Sequence, residues 1–108
     1  MALFPCPYLG CDVELTEERE MHIAEQHPDL LPQYRDALAE TLAAPDSIRR
    51  SERFGNARMF TRWFDTVRDG KYVVVVVVTD PAPAQRHWII TAYIARKLAG
   101  GVTEWTRS

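Results

Sequence analysis

Residues 57–79, ARMFTRWFDTVRDGKYVVVVVVT, hold two strand-like runs joined by a turn. Arg58, Phe60, Arg62 and Phe64 alternate with Met59, Thr61 and Trp63, the period-two pattern of a strand with two unlike faces. Asp69-Gly70 supplies turn chemistry, and the run from Lys71 to Thr79 then carries six consecutive valines. Such a strand needs cover on both faces. It is therefore expected at the centre of a sheet, with helices over one side and aromatic or partner residues over part of the other. Left exposed it would aggregate.

Working outward, Ile48 to Phe54 precedes this pair across Gly55-Asn56, and Arg86 to Ile94 follows it across the Pro81-Ala82-Pro83-Ala84 loop. The connections are short, which suits antiparallel pairing of four strands. Alternation on the last of them places His87, Ile89, Thr91 and Tyr93 opposite Trp88, Ile90 and Ala92. Upstream the period is helical. Thr16 is a candidate N-cap, with Glu17 and Glu18 at the positive end of the helix dipole, and the helix runs to about Gln26, before Pro28. A second helix is expected from about Pro32 to Ala43, with Tyr34, Leu38, Thr41 and Leu42 as its core stripe and Pro45 beyond its end. After Ile94 a helical turn over Ala95 to Ala99 should end at Gly100-Gly101, with Val102 to Trp105 returning to the body.

The expected fold class is α+β, with N-terminal helices packed on a four-stranded antiparallel sheet. The chain of 108 residues, 46% hydrophobic and 26% charged, suits one domain with one modest core. Its N-terminus, MALFPCPY, lacks the basic region and apolar stretch of a signal peptide, and the valine run is far shorter than a membrane span. The expectation is a soluble, cytoplasmic protein without a membrane partner.

Cys6, Cys11, His22 and His27 stand in the order C-x4-C-x10-H-x4-H, and they are the only two cysteines and two of the three histidines. Two thiolates on a knuckle and two imidazoles on a helix make a tetrahedral zinc donor set. Residues 1–28 thus read as a zinc-finger-like segment with a structural Zn2+, and 29–108 as a helix plus four-stranded sheet. Pro7 and Gly10 favour a turn between the cysteines. The alternative is plain buried thiols with solvated or catalytic histidines; a Cys6–Cys11 disulfide fits less well, since nothing else suggests an oxidising compartment. Two histidines five apart point about 140° from each other on an ideal helix, so both reach one metal only if the helix end distorts, as Pro28 would allow.

The net charge of −2 conceals an asymmetry: ten acids against two bases over Met1–Asp46, seven bases against three acids over Ser47–Lys71, and four bases against two acids thereafter. The basic half can hold a polyanion, or the halves can attract each other. Arginines beside a threonine, a tyrosine and a helix histidine suit phosphodiester chemistry, with guanidinium groups on the phosphate and an imidazole or phenol moving the 2′-hydroxyl proton. The bland alternative is a solvated face whose arginines pair with carboxylates.

The string TEEREMHIAEQHP, followed by TLAAPDSIRRS, ARMFTRWF, KYVVVVVV and WIITAY, resembles the small proteins of the phage and bacterial barnase, EndoU, colicin and RelE-like nuclease superfamily. The resemblance covers roughly Leu15 to Tyr93 and lies in the order and spacing of short segments. It implies helices on a four-stranded sheet and metal-independent RNA cleavage by a toxin-type endoribonuclease. Carried onto this chain, the acting groups would be His22, Arg58 or Arg62, and Thr91, with Tyr93 and Ser51 in support. RNA is the implied partner, with a cognate antitoxin or other protein partner and a homodimer as further expectations. His22 cannot both ligate zinc and act as a base. If it is a ligand, the chain reads instead as a zinc-stabilised module that binds RNA or protein without catalysis, or as an enzyme whose histidine is His87.

Overall fold

The computed structural model describes all 108 residues. In chain order it runs β1 (Ala2–Cys6), a 3-10 turn (Pro7–Leu9), β2 (Cys11–Leu15), α1 (Glu17–Gln26), α2 (Arg35–Ala43), β3 (Ser47–Arg50), β4 (Ala57–Phe64), β5 (Lys71–Thr79), β6 (His87–Ala95) and β7 (Val102–Thr106). The strands form one sheet in the order β1-β2-β6-β5-β4-β3-β7. All pairs are antiparallel except β2 with β6, which run parallel and meet at the single pair Glu14 and Trp88.

The valine strand is central, paired along its length with β4 and β6. Val73, Val75 and Val77 enter the core, where they join Phe60, Ile48, Ile89 and Ala92 from neighbouring strands. The expected sheet is thereby corrected: it has seven strands and is mixed, not a four-stranded antiparallel sheet of the barnase or RelE kind beneath N-terminal helices. Three of its strands lie in segments not expected as strands. The N-terminal pair is an amphipathic hairpin, in which Phe4, Cys6, Val13 and Leu15 are buried while Leu3, Pro5, Cys11 and Asp12 are exposed. Gly10, at φ +70°, closes its turn by donating its N–H to the carbonyls of Cys6 and Pro7 at 3.1 and 3.0 Å. That left-handed glycine is the feature read as a knuckle; here it ends a 3-10 turn and starts a strand.

Only α2 lies over the sheet. It packs against β1, β4 and β5 and buries Ala37, Leu38, Thr41 and Leu42. Helix α1 starts as expected at Thr16, whose side chain accepts from the Arg19 N–H at 3.2 Å, but buries only Ile23 completely. It runs beside β6, which has no strand neighbour on that side beyond Trp88, and Arg19 Nη1 donates to the Ile90 carbonyl at 3.4 Å.

On the opposite face, the segment 96–101 crosses from β6 to reach β7 at the far edge of the sheet, and the helical turn expected at Ala95–Ala99 does not form. Gly101 makes that crossing possible: at φ +75°, a Cβ there would stand 2.6 Å from Met59 Cε and 2.8 Å from the Arg50 carbonyl oxygen.

One irregularity decides which side chains share a face. The β5–β6 register shifts between Val76, opposite Thr91, and Val77, opposite Ile89, so Ile90 is an extra residue in β6. His87 and Ile89 therefore lie on the core face, whereas Thr91 and Tyr93 lie on the face opposite.

Candidate anion-binding cleft

The core face of the sheet ends in a polar cleft of about 640 Å³, between the loop after β3 and the loop before β6. Antiparallel pairing of β3 with β4 puts Arg50 directly opposite Arg58, and pairing of β5 with β6 puts Thr79 opposite His87. All four line the cleft, with Asn56, Asp80 and Gln85 around its mouth. Ser51 shapes one wall, since its Oγ accepts the N–H groups of Arg53 and Phe54 at 3.2 and 3.1 Å. Asn56 joins that wall to β5 by donating Nδ2 to the Thr79 carbonyl at 3.4 Å.

Like charges directly across a strand pair repel, so the two arginines need an anion between them. Glu104 of β7 supplies one. Its carboxylate accepts Arg50 Nε and Arg58 Nε, each at 2.9 Å, and the Tyr8 hydroxyl at 2.5 Å. Burial alone would raise the Glu104 pKa, but the hydrogen bonds from Tyr8, Arg58 and Arg50 outweigh it and hold the carboxyl below its ordinary value. The same hydrogen bond pushes the Tyr8 phenol up. Arg50 also gives Nη1 to the Gly55 carbonyl at 2.9 Å. Arg58 is bound only through Nε, which leaves both its terminal nitrogens without a protein partner beside the cleft. Two guanidinium charges against one carboxylate leave this cluster net positive.

His87 is fixed from the other side. Its Nδ1 shares a hydrogen bond of 2.8 Å with Thr79 Oγ1, and Nε2 has no protein partner. Whichever atom donates, the ring orientation is set and one nitrogen is left for a ligand.

The structure separates the residues expected to act together. Arg58 is in the cleft. Arg62 shares its face but lies about 13 Å further along β4, where Nη1 donates to the Ala44 carbonyl at 2.5 Å and Nη2 stands 3.5 Å from Glu40. There it caps the C-terminus of α2. Thr91 and Tyr93 are on the opposite face, Thr91 beside an apolar groove and Tyr93 with its ring 5.9 Å from that of His27. His22 is exposed on α1 among Glu18, Arg19, Met21 and Glu25. Ser51 shapes the cleft loop without itself lining the cleft.

Of the four candidate zinc ligands, no three are brought together. Cys6 and Cys11 are cross-strand neighbours, Cys6 buried and Cys11 exposed, and both are free thiols. Burial raises the pKa of each thiol, helped at Cys11 by Asp12. No three His, Cys, Asp or Glu side chains are gathered where they could hold a metal ion. Cys6, Cys11, His22 and His27 are thus not gathered as one donor set in this arrangement.

Arg50, Asn56, Asp80 and Glu104 were absent from the expected site. Arg50 had no local signal, because a tight turn at Gly55-Asn56 would set Arg53 opposite Arg58, whereas the observed register is centred on Phe54 and sets Arg50 there. Glu104 had none, since nothing local marks Val102–Thr106 as the strand beside β3. No protein-family model, no curated protein and no solved structure matches the chain.

Proposed function

We propose that the protein binds RNA, gripping its phosphates in the cleft through Arg50 and Arg58. The observation that carries this reading is the cross-strand arginine pair, which converges on a carboxylate and still has the two terminal nitrogens of Arg58 open to the cleft. A guanidinium presenting two parallel N–H groups matches a phosphate oxygen pair. The test is binding of a fluorescent single-stranded RNA to wild type, Arg58→Ala, Arg58→Lys and Arg62→Ala. Arg58→Ala should weaken binding about tenfold and lower the slope of log affinity against log salt by about one. Arg58→Lys should retain the salt slope with part of the affinity, and Arg62→Ala should bind like wild type. Unchanged binding by folded Arg58→Ala would overturn the reading.

Cleavage is a second reading, favoured by one specific feature: His87 is oriented by Thr79 and leaves Nε2 free in the same cleft. In it, His87 Nδ1–H donates to Thr79 Oγ1, so the unprotonated Nε2 takes the 2′-hydroxyl proton as that oxygen attacks phosphorus, and Arg58 stabilises the added charge. The P–O5′ bond then breaks, and the imidazolium returns the proton to the departing 5′-oxygen. The products are a 2′,3′-cyclic phosphate and a 5′-hydroxyl. Their formation in chelator, lost in His87→Ala while binding persists, would establish this step; binding without products leaves the chain a binding module.

A further inference from the structure

On the far side of the sheet end from the arginines lies a second concavity, of about 410 Å³, lined by Phe54, Ala57, Val76, Val78, Trp88 and Ile90. We infer that it receives a base of the same RNA strand whose phosphate is held in the cleft, so that single-stranded RNA is the ligand class. The inference rests on the RNA-binding reading and extends it.

Two links join groove and cleft. Asn56 lines both. Asp80, in the cleft wall, accepts the indole N–H of Trp88 at 3.2 Å. One face of the Trp88 ring is covered by the Arg86 guanidinium, 5.4 Å from its centroid and itself bound to Glu14 at 2.9 Å. The indole is thus fixed before any ligand arrives, which is what a stacking platform requires. Phe54 forms the opposite lip. It is 59% exposed, on the loop that carries Gly55 and Asn56, and no core contact explains an aromatic ring there. Asn56 spends Nδ2 on the Thr79 carbonyl, so its Oδ1 is free to accept an exocyclic amino group at the groove mouth.

The bulge at Ile90 builds this groove. The extra residue keeps Trp88, Ile90 and Thr91 all beside it, where strict alternation would have sent one of them to the core. The 96–101 crossing bounds the groove on one side, covering Met59, Thr61 and Val74, and the Phe54 loop bounds it on the other. What remains is a slot for a flat ring and lacks the broad face, about 800 Å² per partner, of a stable dimer. Duplex RNA keeps its bases stacked inside; only an unpaired strand can turn one out while its phosphate sits at Arg58.

The test compares a single-stranded oligoadenylate with an abasic ribose-phosphate strand of equal length, on wild type, Phe54→Ala and Trp88→Ala. Oligoadenylate should bind about tenfold more tightly than the abasic strand. Each substitution should erase that margin and leave abasic binding unchanged, with Phe54→Ala, at an exposed position, guarding against loss of fold. Equal affinity for both strands in wild type overturns the base site and leaves the phosphate reading standing. Failure of both strands to bind removes the RNA reading and the base site with it. A concentration-dependent dimer that Phe54→Ala disperses would assign the groove to a second copy and equally overturn it.

Discussion

Cys6 and Cys11 are partners across a hairpin but occupy different surroundings, Cys6 at 1% exposure and Cys11 at the surface. Cys6→Ser puts a hydroxyl into an apolar site and should cost about 1–3 kcal/mol, whereas Cys11→Ser should change stability by less than about 0.5 kcal/mol. Chemical denaturation of the two variants measures this. A shared zinc would make both losses large and equal, with metal released in each. The spacing of these residues was fully legible; their unequal burial was not, because a C-x4-C segment is compatible with a metal knuckle and with a hairpin turn, and the alternation that buries Phe4, Cys6 and Val13 is only a few residues long. Glu104 supplies a second residue-scale expectation. Its folded pKa lies below the ordinary 4.5, so the stability it contributes is complete above that value and is lost as pH falls through the depressed one. Glu104→Gln should cost about 2 kcal/mol at pH 7, because two arginines lose their shared anion, and should flatten the acid limb of the stability profile. An unchanged acid limb would show that the carboxylate does not hold β7 in place.

At the scale of elements, β5 shows how far a period can be trusted. Its limits, Lys71–Thr79, coincide with the reading from sequence, as does its central position, since six valines have nowhere else to go. The two faces nevertheless differ. Val75 is wholly buried against Phe60 and Ala92, and Val78 is half-buried by the open groove. Val75→Ala should cost about 2–3 kcal/mol and Val78→Ala less than about 1 kcal/mol, as thermal or urea denaturation would register. Similar losses at both would mean that the groove face is covered in solution. β6 shows the opposite case. Trp88-Ile89-Ile90-Thr91 contains no glycine or proline to announce a bulge, so alternation carried Thr91 and Tyr93 to the face of His87, and the candidate site inherited the error. The hairpin β1–β2 and the edge strand β7 were obscured for another reason. Each is five residues long, and β7 has no fully buried residue, so neither gives an alternation long enough to read.

Across the whole molecule, the charge asymmetry divides into two parts. Three ion pairs join acids of the first half to arginines of the second: Glu14 to Arg86, Glu40 to Arg62 and Asp46 to Arg107. Arg50 and Arg58 stay outside that exchange and share a carboxylate from the last strand. The first and last parts of the chain meet there, because Tyr8, in the turn between β1 and β2, packs its ring 6.1 Å from Phe60 and 6.0 Å from Trp105 while bonding Glu104. The cleft thus depends on closure of the two ends of the sheet, and no window of local sequence contains it. No helix is long and apolar enough to cross a membrane. The most direct test of an RNA site in this cleft is amide and arginine side-chain chemical-shift mapping on titration with single-stranded RNA. RNA held in the cleft should concentrate perturbations at Arg50, Asn56, Arg58, Thr79 and His87, including the Arg58 Nε–H. No perturbation at saturating RNA, or one confined to His22 and the exposed face of α1, would contradict it.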